Sequence, residues 1–124
     1  MKKPKKILVV DDDEISRTGL SRILSKDGYL VDSVSNGFEA LSYLRQQEVD
    51  LIMTDINMPE MNGIDFLKEI TTSFPNKNVI MITGYGKVET YIASMNHGAV
   101  EYLNKPIVYT ELKTILRKLF QELI

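Results

Sequence analysis

The chain contains no cysteine among its 124 residues and a single histidine, His97. Neither a disulfide framework nor a thiolate metal site can therefore form, and a zinc site would lack ligands. No sign of charge dominates either: 15 Lys and Arg against 17 Asp and Glu leave a net charge of -2, so nothing favours nucleic acid over the whole surface. Long apolar runs are also missing. The basic start MKKPKK is followed only by ILVV before the acidic DDDE, too short for the apolar region of a signal peptide or for a membrane span. No G-x-G-x-x-G or G-K-[ST] element is present to cradle a nucleotide. What remains, 44% hydrophobic and 26% charged residues, is the composition of an ordinary globular domain of the commonest size.

Short apolar runs alternate with helical patterns along the chain. The runs 7–10, 29–34, 51–54, 79–83 and 100–104 read as strands, and the continuous β-branched and leucine content of the first suits a strand covered on both faces. Between them, Ile15, Leu20, Ile23 and Leu24 recur at helical spacing, with Gly28 ending that helix. Ser35-Asn36-Gly37 opens a second helix with Ala40, Leu41 and Leu44 as its buried stripe. Residues 63–72 form a third, with Ile64, Phe66, Leu67 and Ile70 to pack, 87–96 a fourth, and 109–124 a last one carrying Leu112, Ile115, Leu116 and Leu119. Residues 1–5 read as a solvated basic tail and 6–124 as one α/β domain with a five-stranded parallel sheet and helices on both faces. His97, beside Gly98 at a helix end, reads as a C-terminal cap, and Met53, Met58 and Met61 as core packing.

In an open parallel sheet, ligands sit beyond the carboxyl ends of the strands. The polar residues there are Asp11, Asp12 and Asp13 after the first strand, Asp55 after the third, Thr83 ending the fourth, and Lys105 after the fifth. Taken singly each has a structural reading: an aspartate after a strand is commonly a turn former or helix cap, and Asp13 suits the cap of the helix that starts beside it. Taken together, the carboxylates repel one another, and one ammonium does not neutralise them. A hard divalent ion with oxygen ligands does, and Mg2+ uses one or two carboxylates plus water and phosphate oxygens. Asp55 beside such an ion, with Thr83 and Lys105 facing it, has the parts of a nucleophile in phosphoryl transfer.

The segments ILVVDDDE (7–14), DLIMTDINMPEMNGIDFL (50–67), VIMITGYG (79–86) and GAVEYLNKPI (98–107) resemble the receiver domain of two-component response regulators, in order and spacing, over essentially the whole chain. The resemblance implies a flavodoxin-like sheet in the order 2-1-3-4-5. It implies Asp55 as phosphoacceptor, Asp12 as main acidic ligand of Mg2+ (or Mn2+ in its place), Asp11 as its partner through water, and the Asn57 carbonyl as a further ligand. Thr83 and Tyr102 match the switch pair, Lys105 the phosphate-binding lysine, and Lys105-Pro106 a cis bond. Gly84, Tyr85 and Asn57 occupy positions that tune access and phosphoryl lifetime. The resemblance implies a cytoplasmic domain whose partners are a sensor histidine kinase or histidine phosphotransfer protein, an output domain or target, and a second copy through the fourth helix, fifth strand and fifth helix. Neither nucleic acid nor membrane is expected to touch the domain directly. The rival is a haloacid-dehalogenase-like phosphatase with Asp11 as nucleophile and Asp13 as acid; it expects a later acidic pair, and nothing acidic follows Lys105 until Glu111.

Overall fold

The computed structural model describes residues 3–121. The elements run β1 (Lys6–Val10), α1 (Glu14–Lys26), β2 (Leu30–Val34), α2 (Gly37–Gln46), β3 (Leu51–Asp55), α3 (Gly63–Ser73), β4 (Asn78–Thr83), α4 (Val88–Asn96), β5 (Glu101–Asn104) and α5 (Tyr109–Leu119). All strand pairs are parallel, in the order β2-β1-β3-β4-β5. The sequence expectation for the fold is met. Residues 1–2 of the expected tail and 122–124 of the expected last helix lie outside the described residues.

Alternation along the strands sorts the core into two layers. Ile7, Val9, Leu51, Met53, Ile80 and Ile82 face Leu24 of α1 and Leu112 and Leu116 of α5. On the opposite face Leu8, Val10, Ile52, Val79 and Met81 pack with Ala40, Leu41 and Leu44 of α2 and Phe66, Leu67 and Ile70 of α3. Both faces of the sheet are thus covered over its centre, which is why β1, β3 and β4 read as apolar runs while the edge strands β2 and β5 are mixed. α4 lies against α3 and β5, and only Ser94 of its residues is buried.

Two helices begin on asparagine caps. Asn36 caps α2 by accepting from the Glu39 amide at 2.8 Å, and Asn62 caps α3 by accepting from the Asp65 amide at 2.9 Å. Gly28, with φ of 98°, follows α1 in the left-handed conformation that only glycine adopts freely. The apolar spacing in α1 is less informative than it looks: Leu24 is buried, but Ile15 is 84% exposed and Ile23 42%. At about 100° per residue, Ile15 lies roughly 140° around the helix from Leu20 and cannot share its face. Met53 and Met58 are buried, and Met61 packs at the edge of the α2–α3 layer.

Candidate phosphoryl and metal site

The register of the strands builds the site. Val10 pairs with Thr54, so the next residues, Asp11 and Asp55, emerge side by side. Asp55 pairs with Ile82, placing Thr83 one step further out, and Thr83 pairs with Asn104, which puts Lys105 beyond it. Five polar side chains from four strands thus reach one rim: Asp11, Asp12, Asp55, Thr83 and Lys105. With Tyr85, several of them border a cleft of about 730 Å³, whose apolar wall includes Leu20, Ile82 and Pro106.

Carboxylate oxygens of Asp11, Asp12 and Asp55 all lie within 4.8 Å of one another, Asp11 and Asp55 buried and Asp12 exposed. Lys105 Nζ sits 3.0 Å from Asp11 Oδ2 and 3.8 Å from Asp55 Oδ1. Burial works against the ammonium, but the hydrogen bond and charge of Asp11, joined by the charge of Asp55, outweigh it and hold Lys105 above its ordinary pKa. Asp55 fares differently. Burial, followed by the neighbouring charge of Asp11, pushes its carboxyl up to about 6, against the pull of Lys105 and of the Ile56 amide, 3.0 Å from Asp55 Oδ1. One cation shared by crowded carboxylates leaves charge uncompensated, and a donor set made wholly of oxygen suits a hard divalent ion.

Backbone contacts hold these groups in place. Asp11 Oδ1 accepts from the Asp13 amide at 2.9 Å, and the Arg17 guanidinium donates to the Asp11 carbonyl at 2.8 Å. The sequence gives no local sign of this role for Arg17, whose partner is a backbone carbonyl brought near by the seating of α1 on the sheet. Gly63 opens α3 against the end of β3, where an added Cβ would stand 2.4 Å from the Asp55 carbonyl oxygen. Asp13 lines the same cleft but caps α1, its carboxylate accepting from the Ser16 amide at 2.9 Å. The hydrogen bonds from Ser16 hold its carboxyl below the ordinary value. Engaged as a cap and held ionised, it is a poor proton donor, and the rival reading loses its acid.

The remaining residues surround the rim. Thr83 is fully buried, and its hydroxyl oxygen accepts from Asn57 Nδ2 at 3.2 Å and the Tyr85 amide at 3.0 Å. Tyr85 is 76% exposed over the cleft. Gly84 has open space around it, an added Cβ meeting only Lys105 Cδ at 4.0 Å. Tyr102 is half-buried, its ring edge-on to Tyr91 with centroids 5.5 Å apart. The Lys105–Pro106 peptide bond is cis.

Fold and rim together define a parallel α/β domain that gathers three carboxylates and a lysine at the carboxyl edge of its sheet. The response regulator receiver domain family model matches residues 7–117, and the chain belongs to that family, which acts in two-component signalling. It is 42% identical over 110 residues to the transcriptional regulatory protein ZraR of Klebsiella oxytoca, an alignment covering 89% of this chain and 25% of that protein. Curated relatives such as this one are longer: the chain spans about a quarter to a half of those it matches. Among solved structures, it resembles the response regulator TrrA of Thermotoga maritima in complex with Mg2+ and BeF, with 35% identity, a TM-score of 0.84, and 93% of this chain and 98% of that one covered. It also resembles the beryllofluoride-activated NtrC4 receiver domain dimer, with 33% identity, a TM-score of 0.87, and 94% and 97% covered.

Proposed function

We propose that Asp55 accepts the phosphoryl group and that residues 6–124 form the receiver unit around it. The observation that carries this reading is the placement of one buried carboxylate at the end of β3, against Asp11, Asp12 and Lys105, on the rim where a parallel sheet binds its ligands. Asp11, Asp12, Asp55 and the Asn57 carbonyl are the groups to hold Mg2+, or Mn2+ in its place. When bound, the ion offsets the carboxylate charge and takes up negative charge developing on the phosphoryl oxygens.

The donor is the phosphohistidine of a histidine kinase or phosphotransfer protein. An Asp55 carboxylate oxygen attacks phosphorus, a P–O bond forms as the P–N bond breaks, and the electron pair returns to the imidazole. Lys105 then exchanges part of its contact with Asp11 for a phosphoryl oxygen. The Thr83 hydroxyl, whose oxygen already accepts from Asn57 and Tyr85, keeps its proton to donate to another. Asn57, Gly84 and Tyr85 border the approach of water and so set the lifetime of the acyl phosphate.

Movement of Thr83 toward the phosphoryl group opens space for Tyr102 to turn inward, and the surface of α4, β5 and α5 changes with it. That surface carries Val88, Tyr91, Ile92 and Met95, all exposed on α4 at helical spacing. A second copy docking there is one listener, the beryllofluoride-activated NtrC4 receiver domain being itself a dimer, and an output domain or target protein is the other. No helix among the described residues is long and apolar enough to cross a membrane, and a cytoplasmic signalling role, without steady turnover of a substrate, fits this scheme. Asp55→Ala is expected to abolish Mg2+-dependent labelling by a small acyl phosphate donor; undiminished labelling would refute the assignment.

A further inference from the structure

α4 starts in an unusual way. Its N-cap is Lys87, whose side chain has no acceptor for the free amides of the first turn. Two hydroxyls gather instead at the N-cap's own amide. The Lys87 amide approaches Thr90 Oγ1 at 3.3 Å and the Tyr102 phenol oxygen at 3.4 Å, and these two hydroxyls lie 2.7 Å apart. Thr90 Oγ1 also donates to the Lys87 carbonyl at 3.0 Å. A hydroxyl has a single proton, so with Thr90 donating to Lys87 it is the Tyr102 O–H that donates to Thr90. Beside this network an added Cβ on Gly86 would stand 2.1 Å from Asn104 Oδ1 and 3.5 Å from the Tyr102 oxygen. The start of α4 and the end of β5 thus approach closely.

We infer that Thr90 is a positioning residue for the switch: its hydroxyl clasps Tyr102 to the first turn of α4 and holds the domain in its resting arrangement. This inference rests on the reading of Thr83 and Tyr102 as the switch pair. With the clasp closed, Thr83 faces Asn57 and Tyr85. An inward turn of Tyr102 breaks its contacts with both Thr90 and Lys87, leaving the Lys87 amide at the head of α4 with Thr90 Oγ1 alone as its side-chain acceptor. That turn carries Val88 and leads into the exposed apolar stripe. The state of Tyr102 is in this way read out as the order of α4, and the clasp lowers the occupancy of the activated state by the free energy of its hydrogen bonds.

The test is titration of the Mg2+-beryllofluoride complex, a phosphoryl mimic, into wild type and variants, followed by amide NMR. Removal of one neutral hydrogen bond from the resting state should tighten binding roughly three- to tenfold in Thr90→Val. Tyr102→Phe should match it, Thr90→Ser should restore wild-type affinity, and the double variant should gain no more than either single change. Wild-type affinity in Thr90→Val, or additive gains in the double variant, would overturn the clasp alone. No wild-type response to Mg2+-beryllofluoride would overturn the phosphoacceptor reading and the switch role with it.

Discussion

At the scale of single residues, Asp55 concentrates the electrostatics of the domain. Its folded-state pKa of about 6 lies above the ordinary 3.8, so its ionised form is disfavoured by folding. Its contribution to stability is therefore lost as pH rises from about 4 through 6, and remains lost at neutral pH when no cation is bound. Asp55→Asn keeps an acceptor for the Ile56 amide while removing the charge. In metal-free buffer at pH 7 it is expected to stabilise the domain by on the order of 1–2 kcal/mol, once solvent at the open rim is allowed for. The difference should vanish below about pH 4 and shrink when Mg2+ is added to wild type. Denaturant unfolding across this range measures it, and a difference independent of pH would contradict the assigned cause.

The same scale shows what was legible in the sequence. Asp11, Asp12, Asp55, Thr83 and Lys105 could be grouped before any coordinates because a parallel sheet delivers every strand end to one rim. Asp13 could be set apart as a cap because it immediately precedes a helical pattern. Arg17 and Thr90 could not be assigned in that way. Their partners, the Asp11 carbonyl and the Tyr102 hydroxyl, depend on how α1 and α4 sit on the sheet, and no local spacing encodes that.

At the scale of elements, the junction of β3 and α3 couples stability to the site. Gly63 lets α3 begin against the strand end: a Cβ there would lie 2.4 Å from the Asp55 carbonyl oxygen and 2.7 Å from Ile56 Cα. Both obstacles are backbone and cannot rotate away. Gly63→Ala should cost about 1–3 kcal/mol in denaturant unfolding, as overpacking does, and should slow phosphorylation by displacing Asp55. Unchanged stability and rate would mean that α3 shifts freely. The elements themselves followed from periodicity, since each strand alternates between two packed layers and each of α2, α3 and α5 buries its apolar stripe. α1 is the exception, because Ile15 falls on a different face from Leu20 and projects into solvent.

At the scale of the whole molecule, the proposed switch makes the acidic rim and the α4 surface the two ends of one device. Apolar residues exposed at Val88, Tyr91, Ile92 and Met95 incur the cost of contact with water unless another surface covers them. Self-association driven by Mg2+-beryllofluoride should be lost in Ile92→Asp while labelling of Asp55 persists, as read by analytical ultracentrifugation. Equal association in the variant would place the dimer contact elsewhere.

The central claim is that one carboxylate, at the end of β3, receives the phosphoryl group. Labelling with a small acyl phosphate and Mg2+, followed by borohydride reduction of the acyl phosphate and peptide mass spectrometry, reads that residue directly. Modification at Asp55 alone is predicted; modification at Asp11 or Asp13, or at no residue, would contradict the account.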